Sequence, residues 1–411
     1  MGLPNKEGRK SSGFFNSLKL VLLLGAVLIA GINIGNGQLS VSRIVSNVVN
    51  DKPEPVANGL PDKLNYDALD DVYQAVKANY NGKLTEAQII EGLKHGIATS
   101  TEDPYTVYFS PKEAKEFNDQ LNNSFAGIGA RLSKDADDNL IIAEPIVGFP
   151  AEKAGLKKQD IIIEVDGAQT NNLTLDDAIS KIRGPVGTKV VIKVVRDKSQ
   201  TLDITVTRQT ISLPSVETKI LDGNIGYLEI SSFSNDTVEL TRKAAQDFKA
   251  ANVKGVIIDV RNDPGGLLEA SVDIASLWLP AGTKILEERR GSTVTESYVS
   301  RGGDILNGVP TVVLINEGSA SASEILAGSL RDNKAARLIG TKTYGKGVVQ
   351  QLINLRDGGQ LKVTVASWYR PNGQNIDKKG IAPDDLVKIS DADLKAEKDT
   401  QLQAAEAFLK K

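Results

Sequence analysis

The chain has 411 residues, 40% of them hydrophobic and 25% charged, with a formal net charge of -3. This is globular composition, the length exceeds one typical domain, and the weak charge gives no reason to expect a nucleic-acid partner. Because there is no cysteine and only one histidine, a cysteine nucleophile, a disulfide and a His/Cys zinc centre are excluded. Carboxylates alone could still bind a metal, but we expect several domains, no metal and no cofactor.

Residues 1–36 have the pattern of a membrane anchor. A basic flank precedes an apolar run from Leu20 to Ile34, and no Ala-x-Ala site follows, which favours an uncleaved anchor over a removed signal peptide. The positive-inside rule keeps the flank in the cytoplasm. We therefore expect a single-pass, membrane-anchored protein whose folded part is extracytoplasmic, joined to the anchor by a proline-containing linker over residues 37–63.

Residues 64–122 predict a small helical unit. Two helix starts stand out at Thr85 and Ser110, each a hydroxyl residue followed three positions later by Gln or Glu, which is the signature of a capping box. The single histidine, His95, lies between them in a helical stretch far from any glycine-framed serine. We therefore interpret His95 as structural.

Residues 123–209 predict a β-rich module, because short apolar runs alternate with Gly, Pro, Asn and Asp. Four segments within it are informative: Gly127-Ile128-Gly129-Ala130, Pro150-Ala151-Glu152-Lys153-Ala154-Gly155-Leu156, Asp160-Ile161-Ile162 and Val165-Asp166-Gly167. Together they resemble a PDZ domain over its whole length, although glycines as simple turn residues remain the alternative. The resemblance implies that Gly127, Ile128, Gly129 and Ala130 bind a peptide carboxylate while the peptide adds a strand at an open sheet edge.

Residues 210–389 alternate strand and helix, which predicts an α/β domain. Val256 to Val260 and Thr311 to Ile315 are its clearest buried strands. The polar residues 390–411 that follow are predicted to form a surface helix.

A serine follows the second of these strands in a turn of small residues that leads into a helix. A serine at such a junction, be it Ser319, Ser321 or Ser323, would expose its hydroxyl, and the helix N-terminus would offer free N–H groups to an oxyanion. A capped helix start explains the pattern equally well.

A serine nucleophile needs a base, and with His95 set aside the candidates are lysine or a carboxylate. Lys346 lies between two glycines before an apolar strand, where burial in a dry pocket would lower its pKa, as a general base requires. A lone loop lysine, however, is most often a surface residue.

Several motifs together resemble the C-terminal processing peptidases from about Tyr66 to Val387. They are Asp103-Pro104-Tyr105-Thr106, the run from Asp259 to Gly266, the Ser-Ala-Ser-Glu segment ending at Glu324, Gly340 to Gly347 with Gln350, Pro371-Asn372-Gly373, and Lys379 to Asp384. The resemblance implies an α/β multidomain serine endopeptidase that combines the PDZ module with a crotonase-like or ClpP-like core. It also implies protein or peptide substrates with free C-termini.

The resemblance assigns roles by position. It implies Ser321 as nucleophile, Lys346 as general base and Gln350 as the residue that orients the lysine. Backbone N–H groups of the loop containing Gly265 and Gly266, and of Ala322, are implied as oxyanion donors. The implied reaction is acyl transfer, with the lysine moving the proton of the serine to the leaving amine before water hydrolyses the ester.

Two positions depart from the family pattern. Asp263 stands where Asn is common, and Trp368 opens a segment that usually begins with Tyr; we expect both to affect fine specificity only, without touching the catalytic residues. Glu324 is expected to tune the site or to act as a helix-dipole partner. Arg183 is a candidate regulatory contact to Gln350, through which peptide binding to the PDZ module would switch activity, and a solvated surface charge is at least as good an interpretation.

Two other functions are weighed against this one. The first is a membrane-anchored PDZ scaffold whose peptidase-like domain is inactive, which the presence of the complete Ser321, Lys346 and Gln350 set disfavours. The second is a histidine-dependent PDZ protease, which a single helical histidine disfavours. A homo-oligomer stays open.

Overall fold

A computed structural model describes residues 63–135, 137–171, 173–396 and 398–410. The predicted anchor at 1–36 and the linker up to residue 62 lie outside the described residues. Within the described residues no helix is both long and apolar enough to cross a bilayer. The chain divides after Lys83 into two compact units, and the described part of the first unit contains helix α1 (Tyr66–Asn79).

The second unit starts with α2 (Glu86–Thr99), β1 (Val107–Phe109) and α3 (Pro111–Leu121). The capping boxes predicted at Thr85 and Ser110 are confirmed, because each hydroxyl accepts the N–H three residues on and each cap N–H donates back to the Gln or Glu side chain. The sequence pattern does not predict β1. This strand pairs antiparallel with Gln360–Tyr369 near the other end of the chain, so residues 84–122 are not purely helical.

The β-rich module follows in the order predicted. Its elements are β2 (Ser124–Gly127), β3 (Ala130–Lys134), β4 (Leu140–Pro145), α4 (Pro150–Lys153), β5 (Ile161–Val165), β6 (Ala168–Gln169), α5 (Leu175–Ile182), β7 (Lys189–Arg196), β8 (Gln200–Thr207) and β9 (Gln209–Ser212). The strands form a sheet in the order β3-β4-β5-β7-β8, with β6 beside β5 and β2 paired separately with β9. Strand β3 is therefore an edge strand. Helix α5 packs in the same core: its Ala178 and Ile182 are buried together with Ile128, which lies between β2 and β3.

The remaining residues form an α/β domain. Its elements are β10 (Val216–Leu221), β11 (Ile225–Ile230), α6 (Thr237–Ala250), β12 (Gly255–Asp259), α7 (Leu268–Ala275), β13 (Lys284–Arg290), β14 (Thr293–Val299), β15 (Thr311–Ile315), α8 (Ala322–Asp332), β16 (Arg337–Gly340), β17 (Val348–Asn354), β18 (Gln360–Tyr369), β19 (Asp385–Leu386), α9 (Asp391–Lys395) and α10 (Thr400–Leu409). The main sheet has the order β10-β11-β12-β15-β16-β19, and its pairs are parallel except β10 with β11. A second sheet contains β1, β13, β14, β17 and β18.

The main sheet is covered on both faces, as expected for parallel strands that are apolar throughout. On one face, Ile258 and Val313 are buried against residues of α6, α7 and α8. On the other face, Ile257 and Val312 pack with Ala405 of α10. The C-terminal segment is helical, as predicted, and α10 packs one face on the sheet, since Gln401 and Ala405 are buried while most of the other described positions of the segment are exposed or half-buried.

Parallel strands place the loops that follow them at one edge of a sheet. Strands β12, β15 and β16 are consecutive neighbours in the sheet. The loop containing Asp263, Gly265 and Gly266 follows β12, the turn containing Ser321 follows β15, and the loop containing Lys346 follows β16. The fold thus brings the predicted site residues to one edge.

Candidate active site

Ser321 lies at the junction between β15 and α8. Its backbone has φ 55° and ψ -113°, a conformation that a residue with a side chain adopts at a cost of about 1–3 kcal/mol. A sharp, strained strand-to-helix turn of this kind exposes a nucleophilic serine in other hydrolases. The neighbouring Ser319 and Ser323 are fully buried and donate their hydroxyls to the carbonyls of Val260 and Asp263. Of these three serines, Ser321 alone is partly exposed.

Gly265 and Gly266 lie against the nucleophile turn and leave no room for a side chain. A Cβ on Gly265 would lie 2.8 Å from the Ala322 nitrogen and 2.9 Å from the Ser321 Cβ, and one on Gly266 would lie 2.1 Å from the Phe233 carbonyl oxygen. Both residues also have positive φ, 97° and 147°. Glycine at these two positions lets the loop reach the serine.

Two backbone N–H groups beside Ser321 are suited to stabilise an oxyanion. The Gly265 N–H already donates to Asp263 Oδ1 at 2.8 Å. The Gly266 N–H donates to no acceptor within the described part of the chain, and the Ala322 N–H opens α8, where a helix has no internal acceptor for it. The geometry therefore favours Gly266 and Ala322 over Gly265 as donors.

Lys346 is held by its backbone from two directions. Its N–H donates to Glu324 Oε2 at 2.9 Å, and its carbonyl accepts the Trp368 indole N–H at 2.9 Å. Its ammonium lies 5.2 Å from the ring centroid of Tyr105. Burial, followed by the positive charge of Lys362, lowers the pKa of Lys346. Both effects favour the neutral amine that a general base requires.

Glu324 lies in the first turn of α8, and its carboxylate connects the loops of the site. Oε2 accepts the N–H groups of Ser321 and Lys346, both at 2.9 Å, while Oε1 accepts the Thr343 hydroxyl and the Gly345 N–H. The side chain is fully buried. Burial raises the pKa of Glu324, and the four hydrogen bonds oppose that rise. Glu324 was expected to tune the site or to pair with the helix dipole, and neither role accounts for the four hydrogen bonds that it accepts from the loops of the site.

Gln350 reaches the same site but not the lysine. Its amide donates to the Tyr105 carbonyl at 2.6 Å. Within the described residues no hydrogen bond joins the Lys346 amine to Ser321 Oγ or to Gln350. Catalytic hydrogen bonds are often long or poorly aligned before substrate binds, so this geometry is compatible with Ser321 and Lys346 acting as a pair.

A cavity of about 440 Å³ contains these groups. Ser321, Lys346, Gln350, Gly265 and Gly266 all line it. Much of the remaining wall is apolar, contributed by Phe117, Leu121, Phe233, Leu268, Ile325, Val348, Val349 and Leu352. An apolar cleft with a few convergent polar groups is the usual form of a substrate site.

The predicted carboxylate loop of the PDZ module lies between β2 and β3. Ile128 is buried, and Gly129 has φ 73°, where an added Cβ would lie 2.3 Å from the Phe149 Cβ. The N–H groups of Ile128 and Gly129 donate to no acceptor in the part of the chain that the structure describes. They are therefore available to a peptide carboxylate beside the free edge of β3.

Neither Arg183 nor His95 touches the catalytic residues. The Arg183 guanidinium is exposed and lies 4.8 Å from the Phe125 ring centroid, so the proposed contact to Gln350 is not made in this arrangement. His95 lies 3.8 Å from a Glu113 carboxylate oxygen and packs its ring edge-on against Tyr108. It is not among the residues that line the Ser321 cavity.

The two departures from the family pattern do touch the site, so the expectation that they would not is wrong. Trp368 donates its indole N–H to the Lys346 carbonyl, and Asp263 binds the Gly265 N–H. Two residues beside Lys346 were not assigned to the site from sequence: Tyr105, which was noted only as part of a motif, and Lys362. The available signal for Lys362 was that it is the only charged residue of strand β18.

Residues 224–387 match the family model described as Peptidase family S41, and residues 141–196 match a PDZ domain model. The chain is 35% identical over 327 residues to the carboxy-terminal processing protease CtpA of Bacillus subtilis, covering 79% of this chain and 70% of that protein. It is 39% identical over 318 residues to the carboxyl-terminal-processing protease of Synechocystis sp., covering 75% of this chain and 74% of that one.

Two solved structures resemble the chain. The photosystem II D1 C-terminal processing protease superposes with a TM-score of 0.50 at 26% identity, covering 81% of this chain and 89% of that one. A putative S41 protease from Bacteroides fragilis superposes with a TM-score of 0.53 at 20% identity, covering 81% and 90%. The second likeness concerns the fold alone.

Proposed function

The chain belongs to peptidase family S41 and is a serine protease with a PDZ domain, and we propose that it cleaves proteins near their C-termini with Ser321 as nucleophile and Lys346 as general base. One observation carries the assignment. A single buried carboxylate oxygen, Oε2 of Glu324, accepts the backbone N–H groups of both residues. This oxygen links the turn of a strained, partly exposed serine to the loop of a lysine whose pKa is lowered.

The reaction follows from these positions. The Lys346 side chain turns from the Tyr105 ring toward Ser321 Oγ when substrate fills the cavity, and the neutral amine takes the hydroxyl proton as the oxygen attacks the scissile carbonyl. The N–H groups of Gly266 and Ala322 stabilise the oxyanion. Lys346 then gives the proton to the leaving amine, and water hydrolyses the ester. Gln350 contributes by orienting the lysine once its amide leaves the Tyr105 carbonyl.

The PDZ module supplies recognition of free C-termini in this proposal. The available N–H groups of Ile128 and Gly129 and the open edge of β3 support carboxylate capture with strand addition. Because β9 joins this module directly to β10 of the catalytic domain, occupancy of the groove can bias the catalytic domain. Arg183 remains a candidate for the contact that transmits peptide binding from the PDZ module to the catalytic domain.

The basic flank and apolar run of residues 1–36 support a further part of the proposal, a single-pass anchor with the protease outside the cytoplasm. Fractionation tests it directly. Recovery of the full-length protein with membranes is expected, and its recovery in the soluble fraction would contradict the anchor.

Hydrolysis of an unfolded protein by the detergent-solubilised full chain tests the activity. We expect wild type and His95→Ala to cleave it, and Ser321→Ala and Lys346→Ala to be inactive while still folded, because nucleophile and base act as one unit. Substantial turnover by Lys346→Ala would overturn the base assignment. A folded wild type without activity would favour the scaffold alternative.

A further inference from the structure

The side chain of Asp263 is fully buried between the oxyanion loop and the nucleophile turn. Its Oδ1 accepts the Gly265 N–H at 2.8 Å, and its main-chain carbonyl accepts the Ala320 N–H and the Ser323 hydroxyl. Its Oδ2 is buried and has no hydrogen-bond partner among the described residues. One side chain thus contacts the loop that carries Gly266 and leaves one oxygen unsatisfied.

No cation compensates this carboxyl group within the described residues. Arg261, two residues away, is directed to Asp259 and Asp399. Lys346, on the neighbouring loop, lies over Tyr105.

The acidic groups of the adjacent nucleophile segment are occupied elsewhere. Glu324 binds the lysine loop, and Glu317 accepts the Thr341 hydroxyl. Asp263 is therefore surrounded by apolar and neutral groups.

A carboxylate in such surroundings is strongly disfavoured relative to the neutral acid. Burial raises the pKa of Asp263 to about 8, although the hydrogen bond from the Gly265 N–H opposes the rise. A neutral carboxylic acid at this position would have the shape and charge of the asparagine common there, with the proton on Oδ2, the oxygen that accepts no hydrogen bond among the described residues.

We propose that Asp263 is a positioning residue that holds the oxyanion loop as a neutral acid, and that loss of its proton in alkaline solution switches the oxyanion hole off. The inference rests on the proposed function. An ionised Asp263 would place a negative charge beside the Gly265 and Gly266 amides, where the oxyanion forms. The ionised carboxylate could reach water only if the loop rearranged.

The pH dependence of kcat/KM for a peptide substrate tests the inference with Asp263→Asn, which is isosteric and permanently neutral. The readout is the ratio of kcat/KM at about pH 9 to that at about pH 7 within each protein. For wild type we expect a fall of about tenfold, since one unit above the pKa leaves about a tenth of the group protonated. For Asp263→Asn we expect no such fall. Asp222→Asn, in an exposed turn, should behave as wild type, and an equal alkaline fall in Asp263→Asn would overturn the proposal.

A stability measurement separates this inference from the proposed function, since it needs no activity. Because the folded-state pKa of Asp263 lies above its unfolded value, the unfolded chain loses this proton first. The contribution of the neutral form to the free energy of unfolding is complete below about pH 4 and is lost progressively as the pH rises to about 8. The Tm of wild type should therefore fall relative to that of Asp263→Asn across this window. A constant difference would overturn the inference.

A third readout covers failure of Asp263→Asn to fold. The infrared band of a protonated carboxylic acid should persist in wild type at about pH 7 and disappear above about pH 9. Absence of the band at about pH 7 would overturn the inference.

Discussion

Glu324 Oε2 accepts the backbone N–H of Lys346 at 2.9 Å. The same oxygen accepts the N–H of Ser321, so the separation of the two loops depends on one carboxylate. The helix that presents the nucleophile therefore also positions the base.

Glu324→Gln should lower kcat far more than it raises KM. An amide has one oxygen and cannot accept from all four donors, so the two loops should shift, and a shift of about 1 Å costs roughly 10²-fold in rate. Each buried donor left unpaired should also cost about 1–3 kcal/mol of stability. Steady-state kinetics and thermal unfolding measure both effects.

Glu317→Gln is the matched control, because Glu317 is exposed and its side chain accepts the Thr341 hydroxyl, with no hydrogen bond to the Lys346 loop among the described residues. It should change stability by about 0.5 kcal/mol or less. Equal kinetics for Glu324→Gln and the control would contradict the role assigned to Glu324.

The charge of Lys362 should influence the position of the acid limb in the pH profile of kcat/KM. Its ammonium lies over the Phe117 and Phe109 rings, 5.2 and 5.4 Å from their centroids, and it lines the same cavity as Lys346. Removing a positive charge favours the protonated form of a neighbouring lysine, so Lys362→Met should raise the pKa of Lys346. The acid limb of kcat/KM should then move to higher pH.

Lys362→Arg keeps the charge and should keep the limb near its wild-type position. Buried and charged groups that face Lys346 elsewhere, Glu324 and Asp103, act in the opposite direction and are unchanged in both variants. An acid limb that does not move in Lys362→Met would show that burial alone sets the pKa of the base.

The strain at Ser321 should be measurable as stability. Glycine adopts φ 55° without cost, whereas alanine does not, so Ser321→Gly should be more stable than Ser321→Ala by about 1 kcal/mol. Both variants should be inactive. Denaturant unfolding gives the comparison, and an alanine variant as stable as the glycine variant would show that the turn is unstrained.

Substrate capture by the PDZ module should depend on a free carboxylate. Wild type should cleave a peptide with a free apolar C-terminus faster than its C-terminal amide, and Gly129→Ala should abolish the preference because its Cβ collides with Phe149. Gly92→Ala, in open space on α2, is the control. Equal wild-type rates for the two peptides would exclude the sensor, and a preference unchanged in Arg183→Ala would exclude Arg183 from it.

Local patterns predicted the helix caps, the buried strands and the positions of Ser321 and Lys346, since each depends on neighbouring residues. Long-range pairing could not be predicted in the same way. The three residues of β1 are too few to show a period, and Gln350 finds its acceptor in Tyr105, 245 positions away. Helix α10 reads as polar because the side chain it buries most deeply, Ala405, is small.

The burial of Asp263 and its contact with the oxyanion loop could not be predicted from the sequence either. An aspartate in a loop is ordinarily solvated and charged, whereas the fold buries this side chain completely in a loop that is hydrogen-bonded to the nucleophile turn. Trp368 contacts the Lys346 carbonyl for a different reason: β18 pairs antiparallel with β17, which begins two residues after the lysine, and the Trp368 backbone N–H donates to the Gly347 carbonyl.

Covalent labelling with a serine-directed phosphonate, mapped by peptide mass spectrometry, tests the central assignment most directly. Wild type and His95→Ala should carry the adduct on Ser321, and Lys346→Ala should carry little, because without the base the hydroxyl is not activated. An adduct on another serine, or equal labelling of Ser321 in Lys346→Ala, would contradict the Ser321 and Lys346 pair.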